Sequence, residues 1–176
     1  MTHNILVSDP ISEKGLQSLI HHPDFNVDFK SGLTEKELVD IIPNYQGLIV
    51  RSQTQVTESI INHASNLKVI ARAGVGVDNI DIKSATLNGI LVVNAPDGNT
   101  ISATEHSVAM ILAMARNIPQ AYTSLKNKEW NRKAFKGVEL YQKVLGVIGA
   151  GRIGLGVAKR LKSFGMTVLA YDPFLT

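Results

Sequence analysis

The sequence predicts an α/β protein: a doubly wound parallel unit followed by the first part of a second α/β domain. Two observations lead there. Four times in the first half a short apolar run of strand type gives way to a helical pattern, at residues 5–7, 47–50, 68–71 and 90–93, with a weaker run at 25–29. Strands that alternate with helices argue for a parallel sheet covered by helices. Near the other end, "VLGVIGAGRIGLGVAKRLKSFGMTVLAYD" reads as strand, glycine turn, helix, strand and acid.

The individual elements follow from local chemistry. In "TEKELVDIIP" Thr34 and Glu37 have the spacing of a capping box, Leu38, Val39, Ile41 and Ile42 form an apolar face, and Pro43 closes the helix. At "NAPDGNT" the pattern breaks into turn residues, which places a domain boundary at residues 97/98. A longer helix is expected from Ser102 to about Arg116, with Val108, Ile111, Leu112 and Ala115 at helical spacing and a second capping box from Ser102 and Glu105. Pro119 is read as marking its end, followed by a polar connection that carries Trp130 and Phe135. A strand at 144–148, a helix at 152–163 and a strand at 166–171 complete the chain.

Composition narrows the function classes. At 176 residues and 44% hydrophobic content the chain can bury a real core. Its apolar run at 108–115 is far short of the ~20 residues that span a bilayer. The start "MTHNILVSDP" lacks the basic and apolar regions of a secretory signal, and a cytoplasmic location is expected. With no cysteine there is neither a disulfide framework nor a Cys-ligated metal, and no metal site is expected. The net charge is +3, and Lys126, Lys128, Arg132, Lys133 and Lys136 cluster around Glu129. Without an aromatic stacking platform this cluster reads as a solvated face rather than a nucleic-acid site, although one or two of its cations could grip an anionic substrate.

The glycine turn carries the most specific chemistry. Gly149, Gly151 and Gly154 follow a strand and open a helix, where such glycines serve a tight turn, close approach of backbone to a pyrophosphate, and close packing of helix on strand. The helix N-terminus offers free N–H groups and a positive dipole end to the phosphates. Asp172 ends the next strand eighteen residues after Gly154, near the spacing of the acid that holds the adenosine ribose. A carboxylate there repels a 2′-phosphate and no arginine follows it, so NAD is preferred over NADP.

The first half carries matching signals, because ligands of open α/β sheets gather outside the carboxyl ends of the strands. Those ends read "IVRS" and "IARAGVGVD", which puts Arg51, Ser52 and Arg72 in place as anion-binding residue types. The run Gly74, Val75, Gly76 could expose successive backbone N–H groups as an anion nest.

Taken together, "RSQT", "RAGVGVDNIDI", "NAPDGNTISATEH" and the glycine-turn run resemble the D-isomer-specific 2-hydroxyacid dehydrogenases, along the length of the chain. The resemblance implies a flavodoxin-like substrate lobe, residues 1–97, followed by the first part of a Rossmann-type NAD-binding domain, residues 98–176. It also implies a cleft between lobes, a small anionic 2-hydroxy acid as substrate, NAD as hydride acceptor, and a homo-oligomer formed through the nucleotide lobe. By motif, Arg152 and Ile153 would lie against the pyrophosphate with Gly149, Gly151 and Gly154, Asp172 would hold the ribose, and Val75 would lie near the nicotinamide. Arg51, Ser52 and the amides of Gly74, Val75 and Gly76 would meet the substrate's anionic groups, with Asn99 and Arg132 as weaker candidates. The family's catalytic arginine, glutamate and histidine come from beyond the second strand of the glycine-turn unit, so the chain is expected to be an amino-terminal portion without catalytic residues of its own. His3, His21, His22 and His63 read as ordinary solvated histidines and His106 as a structural one. Two alternatives stay open: a non-catalytic, NAD-sensing binding module of the same fold, and a reductase for glyoxylate or hydroxypyruvate.

Overall fold

The computed structural model describes residues 2–174. The chain divides into two compact units, Met1–Gly98 and Asn99–Thr176. In the first unit the strands β1 (His3–Val7), β2 (Phe25–Phe29), β3 (Gly47–Val50), β4 (Val69–Arg72) and β5 (Leu91–Asn94) form one parallel sheet in the order β2-β1-β3-β4-β5. This is the flavodoxin-like order, and its direction reverses between β1 and β3. The helices are α1 (Gln17–Ile20), α2 (Glu35–Ile41), α3 (Glu58–His63) and α4 (Ile82–Leu87). Right-handed crossovers put α1 on one face and α2, α3 and α4 on the other, and α3 touches both α2 and α4.

Sequence chemistry accounts for these elements. Leu6, Leu48, Val50 and Ile70 of the central strands are buried against Leu38, Ile60 and Ile61 of the helices. Strands covered on both faces read as continuous apolar runs for this reason. The capping box of α2 forms as expected, with the Thr34 hydroxyl accepting from the Glu37 N–H and the Glu37 carboxylate accepting from the Thr34 N–H. Thr57 and Asp81 cap α3 and α4 with a single side-chain bond each, accepting from the N–H groups of Ile60 and Ser84. Gly47 leaves room for the Ile5 side chain where β1 and β3 lie side by side, since a Cβ there would be 2.6 Å from Ile5 Cδ1.

The second unit contains α5 (Thr100–Ala115), α6 (Ile118–Lys126), β6 (Val144–Ile148), α7 (Arg152–Lys162) and β7 (Thr167–Tyr171). β6 and β7 pair in parallel in a two-stranded sheet, so β6, α7 and β7 form one βαβ crossover. Val157, Leu161 and Met166 make its core, with Val108 and Ile111 of α5 packed against them. Thr104 is fully buried where α5 crosses α7, and a Cβ on Gly156 would lie 2.7 Å from its hydroxyl.

Three local expectations are corrected here. The second capping box does not form, because α5 begins earlier: Asn99 is its N-cap, and the Ser102 hydroxyl donates to the Asn99 carbonyl from inside the first turn. Pro119 does not end that helix. The break is at Asn117, which adopts a left-handed φ of 51°, and Pro119 lies in the first turn of α6. Proline is tolerated there because its missing N–H would have had no intrahelical partner. Much of the expected polar connection is therefore helical.

Candidate functional site

At the carboxyl edge of the first sheet, β3 ends at Val50 in register with Arg72, the last residue of β4. Arg51 and Ser52 follow at once and are exposed. Among the described residues the Arg51 guanidinium has no hydrogen-bond or ion-pair partner. Arg72 is held instead: its Nε donates to the Arg51 carbonyl (3.1 Å) and to Asn79 Oδ1 (2.9 Å). A Cβ on Gly74 would lie 2.4 Å from an Arg72 terminal nitrogen, so glycine leaves the guanidinium its place.

The expected nest is smaller than its three residues suggested. The Gly74 N–H donates to the Arg72 carbonyl at 2.8 Å, which removes it as an anion donor. The N–H groups of Val75 and Gly76 have no acceptor among the described residues, and the Val75 carbonyl is fixed by Asn94 Nδ2 at 2.6 Å.

Two residues not singled out from the sequence organise this edge. Asp9, just after β1, accepts from the N–H groups of Arg51 (2.6 Å), Gln53 (3.1 Å) and Thr54 (3.0 Å) and from the Thr54 hydroxyl (2.6 Å). Asn79 Nδ2 donates to the carbonyls of Arg51 (3.0 Å) and Thr54 (2.7 Å). "VSDP" carries a signature like that at the end of β7, an acid close behind an apolar strand with Ser8 between them, and could have pointed to Asp9. Asn79 lies inside the run "RAGVGVDNIDI", but its residue type alone gives it no role there.

Burial pushes the Asp9 carboxyl up, but the Thr54 hydroxyl and the amides of Arg51, Thr54 and Gln53 together outweigh burial and hold it below the ordinary carboxylate range. A carboxylate with a depressed folded-state pKa stabilises the fold above its unfolded pKa of about 3.9, and that contribution is lost as pH falls through the lower folded value. The stability difference between wild type and Asp9→Asn is therefore expected to be constant above about pH 5 and to shrink below about pH 4. Urea unfolding across that range checks it, and a difference that grows with acid would contradict it.

In the second unit the three glycines separate by role. Gly149 takes a φ of 90°, open to glycine and strained for other residues, and its N–H donates to the Tyr171 carbonyl at 2.8 Å. Gly151 is the N-cap of α7, and a Cβ on it would meet nothing within 4 Å. Gly154 allows α7 to pack onto the turn, since a Cβ there would be 2.1 Å from the Gly149 carbonyl oxygen. The first ladder bond of α7 runs from the Leu155 N–H to the Gly151 carbonyl, so the N–H groups of Ile153 and Gly154 precede the ladder at the positive end of the helix.

Asp172 closes this arrangement. Its Oδ2 accepts from the Ala150 N–H at 2.8 Å and its Oδ1 from the Phe174 N–H at 2.9 Å. The carboxylate is thus fastened to the middle of the glycine turn, and among the described residues each of its oxygens accepts one bond and keeps a second lone pair. An open turn, a helix N-terminus and a carboxylate at its rim fit a dinucleotide, and the space beside Gly151 that a Cβ would occupy is where its backbone could approach a pyrophosphate.

The remaining candidates also lie in the second unit. Asn99 caps α5, with its carbonyl accepting from the Ala103 N–H. Arg132 opens a short 3-10 segment and lines a groove with Ser124, Trp130 and Phe135. The structure brings Arg51, Ser52, Arg72 and residues 74–76 together at one sheet edge, and Gly149, residues 151–154 and Asp172 together around one helix start. His106 is exposed on α5. Among the described residues no group of His, Asp or Glu is arranged to hold a metal ion, and no helix is long and apolar enough to cross a membrane.

The model of the D-isomer specific 2-hydroxyacid dehydrogenase family, catalytic domain, matches residues 5–171. The chain belongs to this family. A D-3-phosphoglycerate dehydrogenase of Synechocystis sp. is 53% identical over 172 residues, which are 98% of this chain and 31% of that protein. Among solved structures of similar fold, the TT0316 protein of Thermus thermophilus has a TM-score of 0.88 at 30% identity, covering 98% of this chain and 57% of the other. A 3-phosphoglycerate dehydrogenase of Entamoeba histolytica with NAD+ bound has a TM-score of 0.78 at 30% identity, covering 100% of this chain and 56% of the other. The chain spans about a third of the length of the curated relatives it matches. As a 2-hydroxyacid dehydrogenase chain it has the family's α/β architecture, with a parallel sheet in each unit.

Proposed function

We propose that the protein carrying this chain oxidises D-3-phosphoglycerate to 3-phosphohydroxypyruvate with NAD, the reaction that opens serine biosynthesis. The observation that carries the reading is the Asp172 carboxylate fastened over a glycine turn at the start of α7. Gly151 and the amides of Ile153 and Gly154 would hold the pyrophosphate, with Arg152 lying against it, and Asp172 would hold the ribose hydroxyls. What the dinucleotide supplies when bound is a hydride acceptor. In the first unit, residues 1–97 in the sequence reading, Arg51, Ser52 and the amides of Val75 and Gly76 would hold the acid's anionic groups. Two guanidinium groups at one sheet edge suit a substrate with both a carboxylate and a phosphate better than a bare 2-oxo acid. The names of relatives about half identical to this chain support the same substrate. The second unit leaves Ile148, Leu169 and Tyr171 of its sheet exposed, and association of like chains through this unit is part of the proposal.

The test is a panel of 2-hydroxy acids with the intact protein, joined to an Asp172→Ala variant. Losing a charged hydrogen-bond partner should weaken NADH binding by ~1.5 to 3 kcal/mol and narrow the preference over NADPH. Equal NADH affinity and an unchanged NADH to NADPH ratio in that variant would show the ribose assignment to be wrong.

A further inference from the structure

The segment after β3 is held from two sides by buried side chains. Asp9 is 3% exposed and Asn79 5% exposed. An acceptor-only carboxylate takes the N–H groups of residues 51, 53 and 54, and the amide of Asn79 donates to the carbonyls of residues 51 and 54. Ser52 is the residue passed over. Among the described residues its N–H has no acceptor, and the neighbouring Arg51 guanidinium has no partner either. Asp9 forms no ion pair with Arg51 or Arg72 among the described residues, so it shapes the loop without neutralising either cation by contact.

We propose that Asp9, with Asn79 as its counterpart, is a positioning residue for the anionic end of the substrate. It fixes residues 51–54 so that, among the described residues, the Ser52 N–H is the backbone amide of the loop left without an acceptor, beside the unpartnered Arg51 guanidinium at the carboxyl edge of the sheet. A flexible loop could turn its own carbonyls or other amides into the site. Pinning the flanking N–H groups before binding removes that freedom, so less ordering is left for the ligand to impose. The assignment rests on the functional reading above in placing the substrate at this edge, and it names residues that touch the loop rather than the substrate.

The experiment compares the intact wild-type protein with Asp9→Asn and Thr54→Val. Asp9→Asn keeps the volume but places an NH₂ among backbone donors. Thr54→Val removes the hydroxyl at 2.6 Å from Asp9 Oδ1 and keeps the side chain's shape, which makes it the milder variant for folding. For Asp9→Asn, the KM for D-3-phosphoglycerate and the Kd for inorganic phosphate, read by calorimetry, are expected to rise together by about 10- to 100-fold. Thr54→Val should raise both by about threefold to tenfold. In both variants kcat at saturating acid stays within about threefold and NADH affinity is retained. A general loss of structure would instead lower NADH affinity and kcat along with the rest. Unchanged KM and phosphate affinity in either folded variant overturns the assignment, as does a fall in kcat at constant KM, or a wild-type protein that binds no phosphate. Failure of the functional reading has a different signature: the wild type turns over none of the 2-hydroxy acids, and the phosphate titration then decides the role of Asp9 alone.

Discussion

Gly154→Ala is expected to abolish dinucleotide binding and to destabilise the second unit by about 3 kcal/mol or more. The added Cβ would lie 2.1 Å from the Gly149 carbonyl oxygen and 3.2 Å from the Gly149 carbonyl carbon and Val147 Cγ1. The nearest obstacle is backbone, which cannot rotate away as a side chain does. α7 must therefore withdraw from the turn, and its first N–H groups move with it. The amides that would meet the pyrophosphate leave their places together, and each charge-assisted hydrogen bond lost costs about 1.5 to 3 kcal/mol. Gly151→Ala supplies the contrast. Its Cβ meets nothing within 4 Å, so the fold should persist within about 1 kcal/mol while the methyl occupies the space proposed for the pyrophosphate. Chemical denaturation and an NADH fluorescence titration of both variants check the pair. A Gly154→Ala protein as stable as wild type would mean that the turn and α7 are not in contact as described.

The 176-residue chain on its own is expected to form no detectable NADH from D-3-phosphoglycerate. Oxidising a hydroxy acid needs a base within hydrogen-bond reach of the hydroxyl, and such a base typically contributes ~10² to 10⁴-fold. Four of the five histidines lie at the wrong end of the first sheet. His3 begins β1, His21 and His22 precede β2, and His63 precedes β4, so all four are at the amino edge, opposite Arg51 and Ser52. His21 and His63 are further tied to the carbonyls of Gln17 and Ser59 in their own helices. His106, in the second unit, is exposed in the second turn of α5 and no residue of the glycine turn bonds to it. The assay sets the purified chain beside a longer protein that contains it. Turnover within about tenfold of the longer protein's rate would place a base among these residues and overturn the expectation.

Several features were legible in the order of residues because their causes are local. The capping box of α2 needs only Thr34 and Glu37 three residues apart, and it forms. The strand at 144–148, the glycine turn, α7 and the acid at the end of β7 follow from a positive φ, a helix start and a strand length, each set within a few residues of itself. Errors arose where two local signals competed. Pro119 is compatible with the end of one helix or the first turn of another, and Asn117 settles the matter by taking the left-handed conformation. Ser102 has the spacing of a cap, but Asn99 starts α5 first and leaves Ser102 inside the turn.

By itself, then, the sequence determined the α/β class, the parallel strands, the anion-binding residue types at the strand ends and the dinucleotide signature of the glycine turn. Only the tertiary structure decided which of those groups are available. Gly74 looks like a nest residue in one dimension, but its N–H donates to Arg72. Asp9 reads as an ordinary strand-end acid, yet parallel pairing of β1 with β3 brings it to a loop more than forty residues away, where it takes three backbone amides. Asn79 lies in a recognisable run but has no legible role until Arg51, Thr54 and Arg72 surround it. The reason is physical: propensity, capping and turn chemistry act over a few neighbouring residues, whereas a hydrogen-bond partner is set by strand register and crossover, which join distant parts of the chain.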